Sequence, residues 1–342
     1  MAALSATYLM PIRRALFQRA EAGGLREYLQ TLSGQISEVI VIDGSPDDVF
    51  AEHHALFHDV CSHVRVDPRF NYPNGKVNGI HTGVERAHCE RIVLADDDVR
   101  YDALSLRAVI DLLDRCDVVR PQNFLRPSSW WGRMEAARML INRGTLRAAD
   151  YPGTSAFRRT AMLRARHFDG DVLFDNEEMI RHFIRSGLNV LYANDLFVCK
   201  EAPTWRKWLE QRPRQAYEDF PLRLKTVLFA SLIPAGLTVL ALLGRKSFLG
   251  FVVVVSLVAI GLSFRGYARG AARTVLPWTV CLYAPFWILE RALSTYWAFC
   301  WYLRRGGYPF GDTLLSKGVG RDWMEGGRIA SRQLREQFLI KE

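Results

Sequence analysis

Arg91-Ile92-Val93-Leu94-Ala95-Asp96-Asp97-Asp98 is the stretch that decides the fold. A short apolar run bounded by acids reads as a buried strand. Carboxylates at a strand's C-terminal end sit where open α/β sheets hold ligands. Asp96 and Asp98, at i and i+2, would share one face of an extended backbone. Two oxygen-rich side chains there suit a hard divalent cation, Mg2+ or Mn2+, and such a cation commonly accompanies a phosphate group. Taken alone, the triplet reads equally well as a solvated turn with an N-cap Asp. The neighbouring segments separate the two readings.

Working outward, strands and helices alternate. Residues 6–12 read as a strand and 25–32 as a helix. Glu38-Val39-Ile40-Val41-Ile42 is a strong buried strand, ending in Asp43-Gly44-Ser45-Pro46-Asp47-Asp48. A helix over 50–60, a strand over 63–66 and a helix over 78–87 lead to the strand 91–95. A helix over 103–113 and a strand over 118–120 follow. This order predicts an α/β fold, Rossmann-like, with a mostly parallel sheet and helices on both faces. Asp43 and Asp96 to Asp98 then share one rim of the sheet. An Asp after the second strand can hydrogen-bond a base or ribose, and one after a later strand can hold a metal. No G-x-G-x-x-G or G-x-x-x-x-G-K-[ST] follows a strand, which argues against a dinucleotide fold or a P-loop.

The 342 residues allow one large domain and an appendage. Composition changes along the chain. Residues 1–222 read as the α/β catalytic part, 223–303 as a membrane domain and 304–342 as a basic tail on the cytosolic side. The membrane domain holds two to three hydrophobic helices, 226–244, 247–264 and 274–303. The first two runs are uncharged and long enough to cross a bilayer, with Arg245-Lys246 between them. The third is interrupted by Pro277 and Pro285 and either spans or lies at the interface, where Trp278, Trp287, Trp297 and Trp301 fit. Arg223, Lys225, Arg265, Arg269 and Arg273 flank the first two runs, and the tail carries Arg321, Arg328, Arg332 and Arg335. That pattern favours an even number of crossings with both ends inside. Met1 to Met10 reads as the first strand rather than a cleavable leader. The expectation is a multi-pass protein of a plasma or bacterial inner membrane, with its catalytic part on the cytoplasmic face. A net charge of +9 fits anionic headgroups and phosphorylated substrates. No nucleic-acid motif is present. The six cysteines are scattered without CxxC spacing and read as reduced.

Together these segments resemble the inverting glycosyltransferases of family 2, with the GT-A fold, in a membrane-anchored form near the ceramide-glucosyltransferase and processive-synthase branch. The resemblance covers roughly residues 6 to 220. Ile40-Val41-Ile42-Asp43-Gly44-Ser45 is similar to the family's V-V-D-x-S strand end, which implies that Asp43 binds the nucleotide base. Gly75-Lys76-Val77-Asn78-Gly79 is similar to its G-K-x-x-A-x-N helix start, placing Lys76 near the nucleotide. Leu94-Ala95-Asp96-Asp97-Asp98 is similar to L-D-x-D, implying Asp96 and Asp98 as metal ligands and Asp96 as a donor contact. Phe174-Asp175-Asn176-Glu177-Glu178-Met179 stands where the family has E-D-x-x-L, the source of the catalytic base. The usual Asp position falls on Asn176, an amide that cannot take a proton, so the base falls to Asp175 or Glu177. Asp175 is preferred because it could project from the loop into the cleft. Gln211-Arg212-Pro213-Arg214-Gln215 is a partial match to Q-x-x-R-W, implying that Gln211 and Arg214 help hold the donor diphosphate. Gln215 replaces the Trp, and Tyr217 is the nearby candidate for an aromatic surface. Gly153 to Arg159 is similar to the glycine-containing segment that lines the donor or acceptor pocket.

The implied reaction moves a sugar from a nucleotide-diphosphate sugar, UDP-sugar favoured, to a membrane-associated acceptor with Mg2+ or Mn2+. That acceptor is a lipid, a polyprenol-linked glycan or a nascent glycan. Few hydrophobic segments favour adding one or a few sugars over a processive polysaccharide synthase. A catalytically silent nucleotide-sugar binding or scaffold protein is the alternative from another class. Three features stand outside this scheme. His53, His54, His58, Cys61 and His63 could bind a metal, but read more plainly as a surface helix away from the active-site motifs. Trp130-Trp131 could stack on a sugar, touch the membrane or simply pack. Glu290-Arg291, inside an apolar region, is either a polar lining or an ion pair.

Overall fold

The computed structural model describes residues 3–126, 129–310 and 313–320. The first half of the sheet is as expected. β1 (Leu4–Ile12), β2 (Ile36–Asp43), β3 (Ser62–Arg65) and β4 (Arg91–Ala95) are parallel, in the order β3-β2-β1-β4. Between and after them come α1 (Arg19–Ser33), α2 (Asp47–Phe57), α3 (Gly75–Arg86) and α4 (Ala103–Leu112). Helices cover both faces. Tyr8, Met10, Val41 and Val93 share a buried cluster with Leu25 and Leu29 of α1 and Leu106 and Val109 of α4. α3 packs on the other face, its Gly79 and Gly83 against Pro11, Ile42 and Leu9. Strands buried on both faces become continuous apolar runs, which is why these were readable.

Beyond β4 the sheet is mixed rather than mostly parallel. It continues β4-β7-β6-β8-β5, with β5 (Val99–Arg100), β6 (Val118–Leu125), β7 (Thr154–Arg158) and β8 (Val190–Lys200). β7 is antiparallel to both β4 and β6. After α5 (Trp130–Thr145) the chain returns at the C-terminal end of β4, so Thr154 pairs with Ala95 and β7 runs back down. The same return fixes the acid triplet, because Asp96 N donates to the Gly153 carbonyl at 2.9 Å. α6 (Arg159–Ala165) and α7 (Asp175–Arg185) complete this part.

The chain forms two compact units. One holds the chain up to Asn123 with Tyr151–Cys199; the other holds Phe124–Asp150 and Lys200–Val319. This division differs from a boundary at residue 222, because α5 and α8 (Trp205–Glu218) belong with the C-terminal helices. For α5 the cause is a close backbone contact. A Cβ on Gly266 would stand 1.8 Å from the Leu140 carbonyl oxygen, and one on Gly144 2.3 Å from that of Leu262. Arg143 and Arg269 each donate to the other's carbonyl oxygen, at 2.8 and 2.7 Å.

α9 runs Arg223–Ala268 with a break at Gly244, whose φ is 76°. Gly236 packs against Phe248 and Phe251. On a straight helix residues 236 and 251 would lie about 22 Å apart, so the chain doubles back at Gly244. The two expected apolar runs are the arms of this hairpin. The third run is not one helix. It divides into α10 (Ala272–Val275), a 3-10 turn (Trp278–Tyr283) and α11 (Ala284–Arg305). Pro277 precedes the 3-10 turn and Pro285 sits in the first turn of α11, positions where a missing N–H is tolerated. Among the described residues only Arg223–Ala268 is long and apolar enough to cross a membrane; its most apolar window has mean hydropathy 2.4 and is 11% buried. β9 (Tyr308–Phe310) and β10 (Thr313–Leu315) form a small hairpin. The tail residues Arg321, Arg328, Arg332 and Arg335 lie outside the described residues.

Candidate active site

Lys76 organises the rim. Asn74 caps α3, its side chain accepting from Lys76 N at 3.0 Å and donating to the Val172 carbonyl at 2.9 Å. Lys76 therefore leaves the first turn of α3 in a fixed place. Its Nζ lies 2.6 Å from Asp96 Oδ1 and 2.7 Å from Asp175 Oδ2, and donates to Asn176 Oδ1 at 3.0 Å. Three segments far apart in sequence meet at one ammonium. Burial pulls the Lys76 pKa down, but Asp175 and Asp96 outweigh it and hold the pKa above the ordinary lysine value. The ammonium stays charged.

The acid triplet divides its work. Asp96 faces Lys76, while Asp97 pairs with Arg14, which also holds Glu21 at 2.6 Å. Asp97 and Asp98 lie in a turn after β4, and Val99 N donates back to the Asp96 carbonyl at 3.1 Å. The alternation of an extended strand therefore does not extend to Asp98, contrary to the sequence argument. Asp98 is half-buried in that turn.

The two candidate bases are in different surroundings. Asp175 is buried at the start of α7, beside Lys76. Glu177 is held by Arg181 at 3.0 Å and Arg120 at 3.3 Å. Arg120 in turn lies over the rings of Tyr151 and Tyr192. Arg120, Tyr151, Thr154, Ser155, Asn176 and Glu177 line a narrow cleft. Thr154 and Ser155 belong to the 153–159 segment expected to line a pocket.

Asp43 is 1% exposed at the end of β2. Its Oδ1 accepts from Ser45 N at 2.8 Å; its Oδ2 lies 2.7 Å from His53 Nδ1 and 3.2 Å from His63 Nε2. Burial alone would raise its pKa, but the hydrogen bonds from His53, His63 and Ser45 hold it well below the usual carboxylate value. The histidine cluster is thus no surface helix remote from the motifs. His53 and His63 are buried against Asp43 because α2 and β3 both pack beside β2. Only His54 and His58 are exposed.

Gln211 and Arg214 lie on α8 in the second unit, and both are half-buried. Arg214 pairs with Glu218 at 3.0 Å and lies over the Phe310 ring. Their neighbours are more deeply committed. Arg212, 2% exposed, pairs with Glu135 at 3.2 Å and Glu290 at 3.4 Å. Gln215 donates to Glu135 at 3.3 Å and accepts from Arg291 at 2.8 Å, and Arg291 reaches Asp219 at 3.3 Å. Glu290-Arg291 is therefore part of a buried ionic network. Tyr217 is 1% exposed and donates to the Ser316 carbonyl at 2.9 Å, so it offers no aromatic surface. Of the Trp pair, Trp131 donates to the Pro203 carbonyl at 2.8 Å, while Trp130 is half exposed.

The sequence matches Glycosyl transferase family 2 over residues 17–211. The chain belongs to that family. It is a glycosyltransferase, and the match spans Asp43, Lys76, Asp96, Asp98, Asp175, Glu177 and Gln211 but stops before Arg214. No curated protein sequence matches it significantly. Among solved structures it is similar to a mannosyltransferase from Pyrobaculum calidifontis in complex with GDP-mannose and Mn2+. That pair shares 17% identity, covers 86% of this chain and 88% of the other, and has a TM-score of 0.46. A glucosyl-3-phosphoglycerate synthase from Mycobacterium tuberculosis, with Mn2+, UDP and glucosyl-3-phosphoglycerate, has 16% identity, coverage of 58% and 70%, and a TM-score of 0.38. A mannosyl-3-phosphoglycerate synthase from Rubrobacter xylanophilus has 14% identity, coverage of 62% and 71%, and a TM-score of 0.40.

The sequence reading missed two residues of this glycosyltransferase's site region and misread a third. Arg14 and Arg120 carry no motif; each is defined only by the acid it meets. Asn176 reads as a lost base, yet it is a partner of Lys76. Ser155, from the segment expected to line a pocket, does line the cleft, with its hydroxyl buried and unpaired.

Proposed function

We propose that this family 2 glycosyltransferase is membrane-associated and inverting. It moves a sugar from a nucleotide-diphosphate sugar, with a divalent metal, to an acceptor at the membrane. The observation that carries this reading is the Lys76 ammonium between Asp96 and Asp175. It joins the nucleotide, metal and base motifs in one cluster. Asp96 and Asp98, at the end of β4, are the carboxylates that would hold a Mg2+ or Mn2+ ion, since a hard cation prefers oxygen ligands. Such an ion, when bound, offsets charge on the leaving diphosphate. Lys76 adds positive charge at the same place.

Asp175 is the better candidate base. Glu177 is already engaged by two arginines and serves to fix Arg120 and the cleft. When the donor diphosphate draws Lys76 away, Asp175 is released to take the acceptor proton as the hydroxyl attacks the anomeric carbon. Attack from the face opposite the leaving group inverts that centre. Asp43, with both oxygens engaged, acts on the nucleotide through the Ser45 loop it holds rather than by direct contact. Gln211 and Arg214 remain candidates for the diphosphate.

Membrane association is supported by the α9 hairpin. Leu224, Leu242, Leu243, Leu249 and Leu257 are each more than half exposed. A soluble core helix would bury such residues, and each arm reaches the roughly 20 residues needed to cross a bilayer. The hairpin then crosses twice and leaves both ends on one side.

The test is hydrolysis and transfer by the detergent-purified protein. It uses UDP-, GDP- and dTDP-sugars with Mg2+ or Mn2+, and total membrane lipid as acceptor. Metal-dependent release of one nucleotide, abolished in a folded Asp98→Ala variant, is expected. Saturable binding of a donor without turnover would replace this reading with that of a nucleotide-sugar binding protein.

A further inference from the structure

We propose that Asp43, His53 and His63 form a transition-metal site, best suited to Zn2+, distinct from the Mg2+ or Mn2+ position at the acid triplet. The ligand atoms already converge. Asp43 Oδ2 and one ring nitrogen of each histidine all lie within 4.8 Å of one another, and all three residues are buried. They come from three elements, the end of β2, the middle of α2 and β3, so the tertiary fold sets their geometry. Two imidazoles and one carboxylate are a common zinc ligand set, whereas Mg2+ prefers oxygen alone.

The outer atoms are held as ligating residues usually hold them. His63 turns its other nitrogen, Nδ1, to His54 Nδ1 at 3.2 Å. Asp43 turns Oδ1 to Ser45 N. The rings are fixed by stacking: Phe50 on His63 with centroids 4.5 Å apart, and Phe57 on His53 at 5.5 Å. The Phe17 ring lies tilted against His53 at 5.6 Å. This aromatic shell orients the rings before any ion arrives, and binding would replace the imidazole–carboxylate hydrogen bonds, releasing protons as the ligand atoms move slightly apart. Three protein ligands leave a fourth position for water. The ion would tie β2, α2 and β3 together beneath the rim and stabilise the Ser45 loop.

The experiment uses the full-length protein in detergent, stripped of metal and titrated with Zn2+ alone. A single equivalent per chain is expected to resist a chromophoric chelator. Its absorption edge should fit two imidazole nitrogens and at least one oxygen at about 2.0–2.2 Å. His53→Gln and His63→Gln should each weaken binding at least about tenfold. Asp98→Ala should bind Zn2+ as wild type does. A wild-type chain that yields all its Zn2+ to the chelator overturns the proposal, as does a folded His53→Gln chain that keeps the full equivalent. Should both histidine variants misfold, the wild-type edge decides, and a shell without imidazole overturns the site. Failure of the glycosyl-transfer reading would appear in the donor assay and leave the zinc equivalent intact.

Discussion

Lys76→Met removes the ammonium at the centre of the site and keeps the apolar stem. Two carboxylates, Asp96 and Asp175, then face each other without the cation now 2.6 and 2.7 Å from them. Breaking a fully buried ion pair costs about 3–5 kcal/mol. Here the Lys76 and Asp96 side chains are 20% and 24% exposed, so water recovers part of that, and a loss of about 2 kcal/mol is expected. A chain with an ordinary stability of about 5–15 kcal/mol still folds. Activity should suffer more. Deleting one preorganised charge that meets a developing anion lowers kcat by about 100- to 1,000-fold. If Lys76 grips the diphosphate equally before and during reaction, the loss appears in donor KM with kcat kept. If it acts on the leaving group, kcat falls and KM holds. Lys76→Arg, which keeps the charge in a wider fork, should recover part of the rate. The assay is nucleotide release from the active donor, with near-ultraviolet circular dichroism to confirm folding. A folded Lys76→Met enzyme within threefold of wild-type kcat/KM would refute the role given to this ammonium.

Other perturbations probe the packing. Gly266→Ala places a methyl where a Cβ would meet the Leu140 carbonyl oxygen at 1.8 Å, so it should cost about 2–3 kcal/mol and lower the melting temperature. Gly250→Ala, with nothing within 4 Å, should be neutral or stabilising by up to about 1 kcal/mol; equal effects at the two positions would remove the close-contact argument. Glu135→Ala removes one acid from each of Arg138 and Arg212, which keep Asp150 and Glu290, and should cost about 2–3 kcal/mol, read as a lower melting temperature. His81 titrates in the opposite sense to a salt-bridged histidine. Burial, then His167 and His182, lower its pKa from 6.5 to about 3. The unfolded imidazole therefore takes a proton first, so stability is full above about pH 6.5 and falls as pH drops towards 3. Between pH 7 and pH 5 the loss is about 2 kcal/mol. Urea midpoints of wild type should shift accordingly, and those of His81→Gln should shift less, the remainder coming from His182, whose pKa burial also lowers; parallel shifts would reject the assignment.

What was legible in the sequence was whatever a local pattern carries. β2 and β4 are buried on both faces, so their apolar runs and terminal acids stood out, and the polar segments followed at the rim. The α9 arms were legible because two long uncharged apolar runs carry no competing pattern. What was not legible depends on partners distant in sequence. α5 reads as part of the catalytic region, yet two glycines, each facing a carbonyl of the other helix, bind it to α9, and a glycine contact leaves no hydrophobic periodicity. Arg120 and Arg14 look like any surface arginine until Glu177 and Asp97 are brought to them.

Motif letters fail in the same way at α8. Aligning Gln211 and Arg214 to a motif says which residues match a pattern, not which face of the helix is inward. Arg212 and Gln215, three apart, lie on one face and enter the network with Glu135 and Arg291. Gln215 therefore replaces the motif's Trp with a group that can both donate to Glu135 and accept from Arg291. An indole has one donor and no acceptor, and could satisfy only half of that pair. The departure from the family pattern is therefore coupled to Arg291 on α11. Gln215→Trp alone should leave the Arg291 guanidinium with Asp219 but without its amide acceptor and destabilise the second unit, whereas Gln215→Trp with Arg291→Leu should recover much of the loss. Additive losses in the double variant, measured by melting temperature, would show that the two positions are independent and the substitution incidental.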